Sequence, residues 1–426
     1  MRVEIINEPE ILRFNFLLED GDLVAPSRNF SMGNDSVCFR LPADLGESIH
    51  PDLISLAIIL SCHPFVGKEL HLPIPVSRRF MDGARRVISR YRVIAETSEG
   101  LAPREAPIKT RAGLAYSGGV DSTAALAVMP STTVPIFMNR PVRDGSLYNP
   151  DAAIKSCEIL AQLGYDVQVI GSDVEYLREP VGFPTDLAHA TPAVLLADFL
   201  GLDSLAFGTV LESAYGVGHE IFRDYPQMSH WRFYGTLFSA AGLPMSLPVA
   251  GISEVGTSMI VETAPVGFVA QSCIRGAWQS PCWNCWKCFR KGLLGMALGK
   301  YDSNNLDLGV MLASNEVKKK LGEIPISHEN VVSYSLGGVD PSIHPFLEVL
   351  NSRVYSDFPL EMLEKWFSPS LELVHEKWEK GIRNNILRFL EPMSSDEEVA
   401  IRNWSMTEFI EDENIQFKRE RVIKSL

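Results

Sequence analysis

The sequence predicts an α/β protein built on a doubly wound parallel sheet, with an N-terminal α+β domain and a helical C-terminal extension. Three observations carry that prediction. A short apolar run at residues 112–116 breaks at Ser117-Gly118-Gly119 and passes into an Ala-rich helix. From Gly113 onward, strand and helix patterns alternate. Beyond Lys300, residues 316–321, 360–367 and 371–389 repeat at helical spacing with frequent Lys and Glu.

Taken in order, segments 2–6, 11–18 and 36–41 read as short strands, and helices follow at 51–62 and 76–92. Residues 95–107 are polar with two prolines and read as a linker, so residues 1–107 form a separate α+β domain of unassigned role. The next domain spans 108–300. Its first strand is 112–116, and its first helix runs from Ser122. A buried strand follows at 134–138, and Asn149-Pro150-Asp151 opens a helix with a capping residue, a proline and an acid in the first turn. A strand at 166–170, a helix through 191–200 and a strand at 205–210 complete the alternation. Residues 301–426 form the helical C-terminal region, which packs on the core or meets a partner.

A βαβα order gathers the strand C-termini at one edge, where ligands bind. The first strand delivers the glycine turn to that edge. The second brings Asn139, Arg140 and Arg143, and the fourth brings Gly208, Thr209 and Glu212. Residues 213–225 suit a mobile loop over the site, in which His219, Glu220 and Arg223 can position a carboxylate or offset phosphate charge.

A strand, a glycine turn and a helix N-terminus together make an anion site, because free backbone amides and the helix dipole converge on one point. The hydroxyls of Ser117, Ser122 and Thr123 add donors. Asp121 repels a phosphate unless a divalent cation lies between them, so the turn is suited to a magnesium-bound polyphosphate. Ser117-Gly118-Gly119-Val120-Asp121-Ser122 resembles the pyrophosphate loop of the ATP pyrophosphatases, the PP-loop family. It lacks the Gly-Lys-[Ser/Thr] of a Walker A motif. The resemblance implies a PP-loop, HUP-like sheet and an enzyme that adenylates its substrate, with the β- and γ-phosphates leaving as pyrophosphate. ATP and Mg²⁺ would then contact Tyr116 to Thr123, Asn139, Gly208 and Thr209, with Asp121, Ser117 and Arg223 closest to the chemistry. A near-repeat, Ser335-Leu336-Gly337-Gly338-Val339-Asp340-Pro341-Ser342, puts proline where a donor is needed and reads as an ordinary turn.

Cys273, Cys282, Cys285 and Cys288 follow an x8, x2, x2 spacing, which suits one tetrahedral Zn²⁺ in a structural site. An iron–sulfur cluster, or disulfides and free thiols, are the alternatives. Disulfides are disfavoured by the odd total of seven cysteines and by the absence of a secretory signal pattern. Cys38, Cys62 and Cys157 sit among apolar neighbours as buried thiols. Trp278, Trp283 and Trp286 crowd the cluster, as packing or as a platform for a purine-like base.

The loop and the cysteines together, about 150 residues apart and with Arg290 just beyond, resemble the 7-cyano-7-deazaguanine synthase branch of the family over roughly 113–292. That resemblance implies a 7-carboxy-7-deazaguanine-like substrate with ammonia as acceptor. Longer relatives occur in bacterial antiphage operons, where the resemblance suggests attachment to a partner protein, and the extra length of this chain fits that group. Residues 207–223 do not spell the family's usual substrate loop. Two other readings stay open: a PP-loop enzyme that thiolates or amidates RNA, and a nucleotide-sensing subunit without turnover.

At 426 residues and 46% hydrophobic, the chain can bury a full core. A net charge of −14 disfavours extended nucleic-acid binding. No apolar run approaches a membrane span, so a cytoplasmic protein is expected, with room for a homodimer.

Overall fold

The computed structural model describes residues 1–22, 29–98, 100–144, 146–302, 306–355 and 358–425. The N-terminal elements are β1 (Arg2–Glu8), β2 (Ile11–Leu17), β3 (Ser31–Met32), β4 (Ser36–Arg40), α1 (Pro51–Cys62), β5 (Glu69–His71), α2 (Arg78–Val87) and β6 (Arg92–Ile94). Next come β7 (Arg111–Tyr116), α3 (Val120–Val128), β8 (Val134–Asn139), α4 (Asp151–Gln162), β9 (Gln168–Ser172), β10 (Arg178–Glu179), α5 (Thr191–Leu195), β11 (Leu202–Ala206), α6 (Leu211–Tyr215), α7 (Ser229–Ala240), β12 (Met245–Ser246), α8 (Glu254–Thr263) and α9 (Trp286–Ala297). The C-terminal helices are α10 (Leu308–Leu312), α11 (Asn315–Leu321), α12 (Glu329–Gly338), α13 (Pro345–Asn351), α14 (Glu376–Ile386), α15 (Ser395–Arg402), α16 (Thr407–Glu411) and α17 (Glu413–Ser425).

The molecule is α/β, with one large, mostly parallel sheet of ten strands in the order β12-β11-β7-β8-β9-β4-β2-β1-β5-β6. Strands β12 to β9 in that order are mutually parallel, and β9-β4-β2-β1 pair antiparallel. From β7 the chain moves outward through β8 and β9, then returns to lay β11 and β12 on the other flank. Strand order therefore reverses between β7 and β11, an arrangement compatible with a doubly wound sheet.

Side-chain alternation explains why helices cover both faces. Ala112, Leu114 and Tyr116 of β7 point into one buried cluster with residues of α3, α4, α8 and α14. Ala115, with Ile136 and Met138 of β8, points into the opposite cluster with α1, α5 and α7. Buried on both sides, such strands read as continuous apolar runs. Pro51 opens α1, the His50 side chain caps it, and every residue from Asp52 to Cys62 is buried. Buried Asp52 accepts from both the amide and the hydroxyl of Ser77, which in turn caps α2.

Several boundaries differ from the sequence expectation. The helix expected over 76–92 stops at Val87, because Ile88 is extended and Arg90 is drawn onto the carbonyls of His63, Pro64 and Val66. Residues 92–94 then form β6. The strand expected at 205–210 is β11, whose Leu202–Ala206 backbone lies beside β7. The helix expected through 191–200 is the short α5, and 360–367 contains a 3₁₀ turn at Leu360–Glu364. The N-terminal α+β segment also continues the central sheet instead of standing apart, since Phe39 and Arg40 of β4 pair with Ser172 and Gly171 of β9. Among the described residues no helix is long and apolar enough to cross a membrane.

Candidate functional site

The turn after β7 is tight and internally bonded. Gly118 takes φ +75, a left-handed value that a β-carbon disfavours, and Gly119 is extended before α3 begins. The Ser117 hydroxyl lies 3.0 Å from that of Ser122, and the Ser117 amide donates to Ser122 Oγ at 3.3 Å. Ser117 is exposed, whereas Ser122 is buried at the helix start. Gly208, just beyond β11, packs directly on this turn: a β-carbon there would stand 2.8 Å from the Ser122 nitrogen.

Between the two strand ends lies a cavity of about 540 Å³. Ser117, Gly119, Asp121 and Ser122 form one wall, and Gly208, Thr209 and Arg223 face it. His189, Phe207 and Tyr225 add an aromatic side. Burial pushes the His189 imidazole below its usual range, so it is neutral at pH 7. The cavity sits in the crevice outside the strand C-termini where the order reverses, the usual ligand position of open α/β sheets.

Other predicted residues lie elsewhere. Tyr116 and Thr123 are buried on the α3 side of the sheet and bond to each other, hydroxyl to hydroxyl, at 3.1 Å. Gly118 turns its carbonyl to the Gln271 amide at 2.7 Å, and Val120 faces a second cavity. Asn139 is half-buried at the end of β8, outside the lining of the first cavity. Arg140 pairs with Glu175 at 2.6 Å, and Arg143 lies over the Tyr176 ring.

Glu212 faces away from the cavity, into a buried polar network that the sequence did not reveal. Its carboxylate accepts from the Glu254 amide at 3.1 Å and from Asn330 Nδ2 at 2.8 Å. Burial, reinforced by the neighbouring Glu254 charge, pushes it up to about 8. Glu254 carries a two-pronged bond from Arg290, at 2.7 and 3.1 Å, and lies 3.1 Å from Lys291 Nζ. Burial opposes its ionisation, but the charges of Lys291 and Arg290 hold it well below the usual carboxylate range. Burial and Arg290 push His328 down to about 3. Asp121 joins the network from the loop, taking a 2.9 Å bond from Thr257 Oγ1 with Lys291 Nζ 3.7 Å away. The adjacent basic residues Arg290 and Lys291 beyond the last cysteine were the available signal; Glu254 and Thr257 offered none.

The loop bearing His219, Glu220 and Arg223 is clamped by the C-terminal region. Trp404 Nε1 donates to the His219 carbonyl at 2.7 Å, Met406 N to that of Glu220 at 2.7 Å, and Phe222 N to that of Trp404 at 2.9 Å. Glu220 is exposed, and Arg223 alone of the three lines the cavity.

The four cysteines converge, with all four sulfurs within 4.8 Å of one another. Tetrahedral bonds of about 2.3 Å to zinc would separate sulfurs by about 3.8 Å. The Cys282 and Cys288 sulfurs are 3.8 Å apart. Backbone amides of Cys282, Asn284 and Cys288 donate to the sulfurs of Cys273, Cys282 and Cys285 at 3.4 Å, and Cys285 caps α9. The cluster can hold a metal such as zinc. Trp283 packs against it, whereas Trp286 stacks on Phe289 and Trp278 joins the α3–α8 cluster. The remaining thiols are the opposite case: burial raises Cys38, Cys62 and Cys157, the last to about 12. The near-repeat at 335–342 is the last turn of α12 followed by a 3₁₀ turn at Pro341–Ile343, not a plain turn.

A family model described as a family of unknown function (DUF6395) matches residues 233–405, which hold α8, the cysteines and α9 but not the glycine loop. No curated protein and no solved structure matches the chain.

Proposed function

We propose that this chain is an ATP-dependent ligase of the pyrophosphate-loop class, which activates a substrate carboxylate as an acyl-adenylate and passes it to ammonia or to an amine of a partner protein. The observation that supports this most is the Ser117–Ser122 turn opening α3 beside a cavity at the strand reversal, with Gly208 and Thr209 opposite. The strand order supports a doubly wound, PP-loop-like reading of the sheet.

In the first step a carboxylate oxygen bonds to the α-phosphorus, the α–β bridging bond breaks, and pyrophosphate leaves with the electron pair. In the second, the amine nitrogen bonds to the acyl carbon, AMP leaves and the amine proton passes to solvent. Free amides at the α3 N-terminus and the Ser117 and Ser122 hydroxyls receive pyrophosphate charge. Arg223 offsets charge at the α-phosphate. A lone carboxylate beside phosphate oxygens suits magnesium, which Asp121 would hold and which would neutralise phosphate charge. The four-cysteine cluster serves structure.

RNA thiolation is the weaker reading, because none of Cys38, Cys62 and Cys157 has the depressed pKa that a sulfur-transfer nucleophile needs. The test is AMP release from ATP and magnesium, with and without 7-carboxy-7-deazaguanine and ammonia, followed by mass analysis. AMP that depends on the acid and disappears in Asp121→Ala is the expected result. ATP binding without AMP under every condition would overturn the ligase reading in favour of nucleotide sensing.

A further inference from the structure

Net charge is a total, and one stretch of the N-terminal segment runs against it. Residues 78–92 hold six arginines and a single acid, Asp82, in a chain of net charge −14. Arg78, Arg79, Asp82, Arg85 and Arg86 recur at helical spacing, so they share the outer face of α2, and all five are exposed. Exposed Arg90 and Arg92 carry the stripe past the helix end to β6, where they and Lys68 surround a hollow with Arg85. Three carboxylates border or interrupt the stripe, and each has a partner. Asp82 lies 3.9 Å from Arg78, Glu69 pairs with Arg92 and with His71, and Asp22 lies 3.0 Å from the Met1 amino group. Lys68, Arg85, Arg86 and Arg232 have no ion-pair partner among the described residues.

Beside the other flank of α2, a hollow of about 680 Å³ opens between α2 and α7. Arg79, Arg86 and Arg232 line it with Asp82, which leaves positive charge in excess. The helix crossing beneath is close: a β-carbon on Gly83 of α2 would stand 2.4 Å from Ala240 Cβ of α7. The Arg79 guanidinium adds a bond to the Ser239 carbonyl at the end of α7. Trp231, half-buried, also lines the hollow. Gly235 lies one turn further along the same face of α7, and a β-carbon there would rest 3.5 to 3.8 Å from three atoms of the Trp231 indole. Glycine at that position leaves this part of the ring uncovered, among three guanidinium groups.

We propose that this surface binds single-stranded nucleic acid, with phosphates on Arg85, Arg86 and Arg232 and a base against Trp231. Guanidinium forks match phosphate oxygens in pairs. A cationic groove beside an open aromatic face is the combination that holds single strands with little sequence preference. The stripe runs the length of α2, about 15 Å for ten residues, and continues to the hollow at β6, a layout for a chain of phosphates. An acidic protein segment would use the arginines but leave the uncovered indole without a role. The α2–α7 hollow shares no lining residue with the cavity beside the glycine turn, and the proposal does not rest on the ligase reading. It gives the N-terminal α+β segment a task of its own, and the acidic remainder of the chain confines the strand to this face.

The test is fluorescence anisotropy of the full chain with a labelled oligonucleotide strand, as DNA and as RNA, from about 50 to 200 mM salt. Its duplex and a polyglutamate peptide are the comparison probes. Strand affinity should fall with salt, by a logarithmic slope of about 0.7 for each phosphate neutralised. Arg86→Glu combined with Arg232→Glu is expected to weaken the strand about tenfold or more and to make that slope shallower by about 1.4, for two phosphates. Gly235→Leu covers the indole and removes no charge, so it should weaken the strand about fivefold or more and leave the slope unchanged. Arg388→Glu, exposed beyond α14, is the control for bulk charge and should change little. Thermal melting checks that each variant folds. Absence of strand binding by the wild-type chain at about 50 mM salt overturns the proposal, as does equal weakening by Arg388→Glu and by the arginine pair. So does displacement of the strand by an ATP analogue with magnesium, which would place it in the first cavity. Duplex bound as tightly as single strand, with Gly235→Leu silent, also overturns it, and tighter binding of polyglutamate would assign the surface to an acidic protein instead.

Discussion

Gly208→Ala is the sharpest perturbation of the glycine turn, because Gly208 touches the helix start through backbone alone. An added β-carbon would lie 2.8 Å from the Ser122 nitrogen, 2.9 Å from its α-carbon and 3.0 Å from the Asp121 carbonyl carbon. Ordinary contacts begin near 3.4 Å, so the α3 N-terminus or the chain after β11 must shift by about half an ångström or more. All three atoms are main-chain, which leaves no flexible side chain to swing aside. Overpacking of this kind costs about 1–3 kcal/mol of stability. The same displacement misaligns the amides that would receive phosphate. Hydrogen bonds to charged groups are worth about 1.5–3 kcal/mol each, so losing one weakens ATP about ten- to hundredfold. Gly337→Ala in the near-repeat is the control: nothing lies within 4 Å of the added atom inside α12, and alanine there should stabilise by about 0.5–1 kcal/mol. Denaturant unfolding and titration with an ATP analogue measure both effects. Wild-type stability and wild-type nucleotide affinity in Gly208→Ala would refute the argument that this contact shapes a phosphate site.

Two further perturbations probe the network and the metal. Glu212 is raised from 4.5 to about 8 in the folded chain, so its contribution to stability is full below 4.5 and is lost as pH rises toward and through 8. Glu212→Gln, which keeps the uncharged form, should gain stability over wild type by about 1–3 kcal/mol at pH 8.5 and match it at pH 5, a difference that equal unfolding curves at both pH values would exclude. Cys285→Ser should reduce zinc from about one per chain and lower the melting temperature, since structural metal contributes folding energy directly; a metal-free wild-type chain of undiminished stability by elemental analysis and melting would contradict the metal centre.

What could be read from the sequence was what local pattern determines. Helix α1 matches its expected limits because proline starts it and eleven buried positions follow without interruption. The cysteine cluster was legible because two x2 steps hold three sulfurs close together and an x8 step gives the fourth the reach to join them. The orientation of the glycine-loop neighbours was legible in principle: 112, 114 and 116 share a face by strand alternation, so Tyr116 belongs under α3 with Thr123 and not toward phosphate. Tertiary burial defeated local chemistry at 335–342, where Val332 and Leu336 pack α12 into the core and draw the glycine pair into its last turn.

The remaining parts of the site come from partners distant in sequence. Trp404 and Met406 bond to the Glu220 region from about 185 positions away, and the Thr257 hydroxyl reaches Asp121 across 136. No periodicity or spacing encodes such pairs. They explain why the glycine loop and cysteines point to a chemistry while the C-terminal region clamps residues 219–222, next to Arg223, whose own amide is held by the Tyr215 carbonyl. On this reasoning the extension is part of the site's architecture: cutting the chain before Trp404 would remove the three hydrogen bonds that residues 404–406 make to the loop at 219–222, even though the glycine loop, the cysteines and the central sheet remained in the sequence.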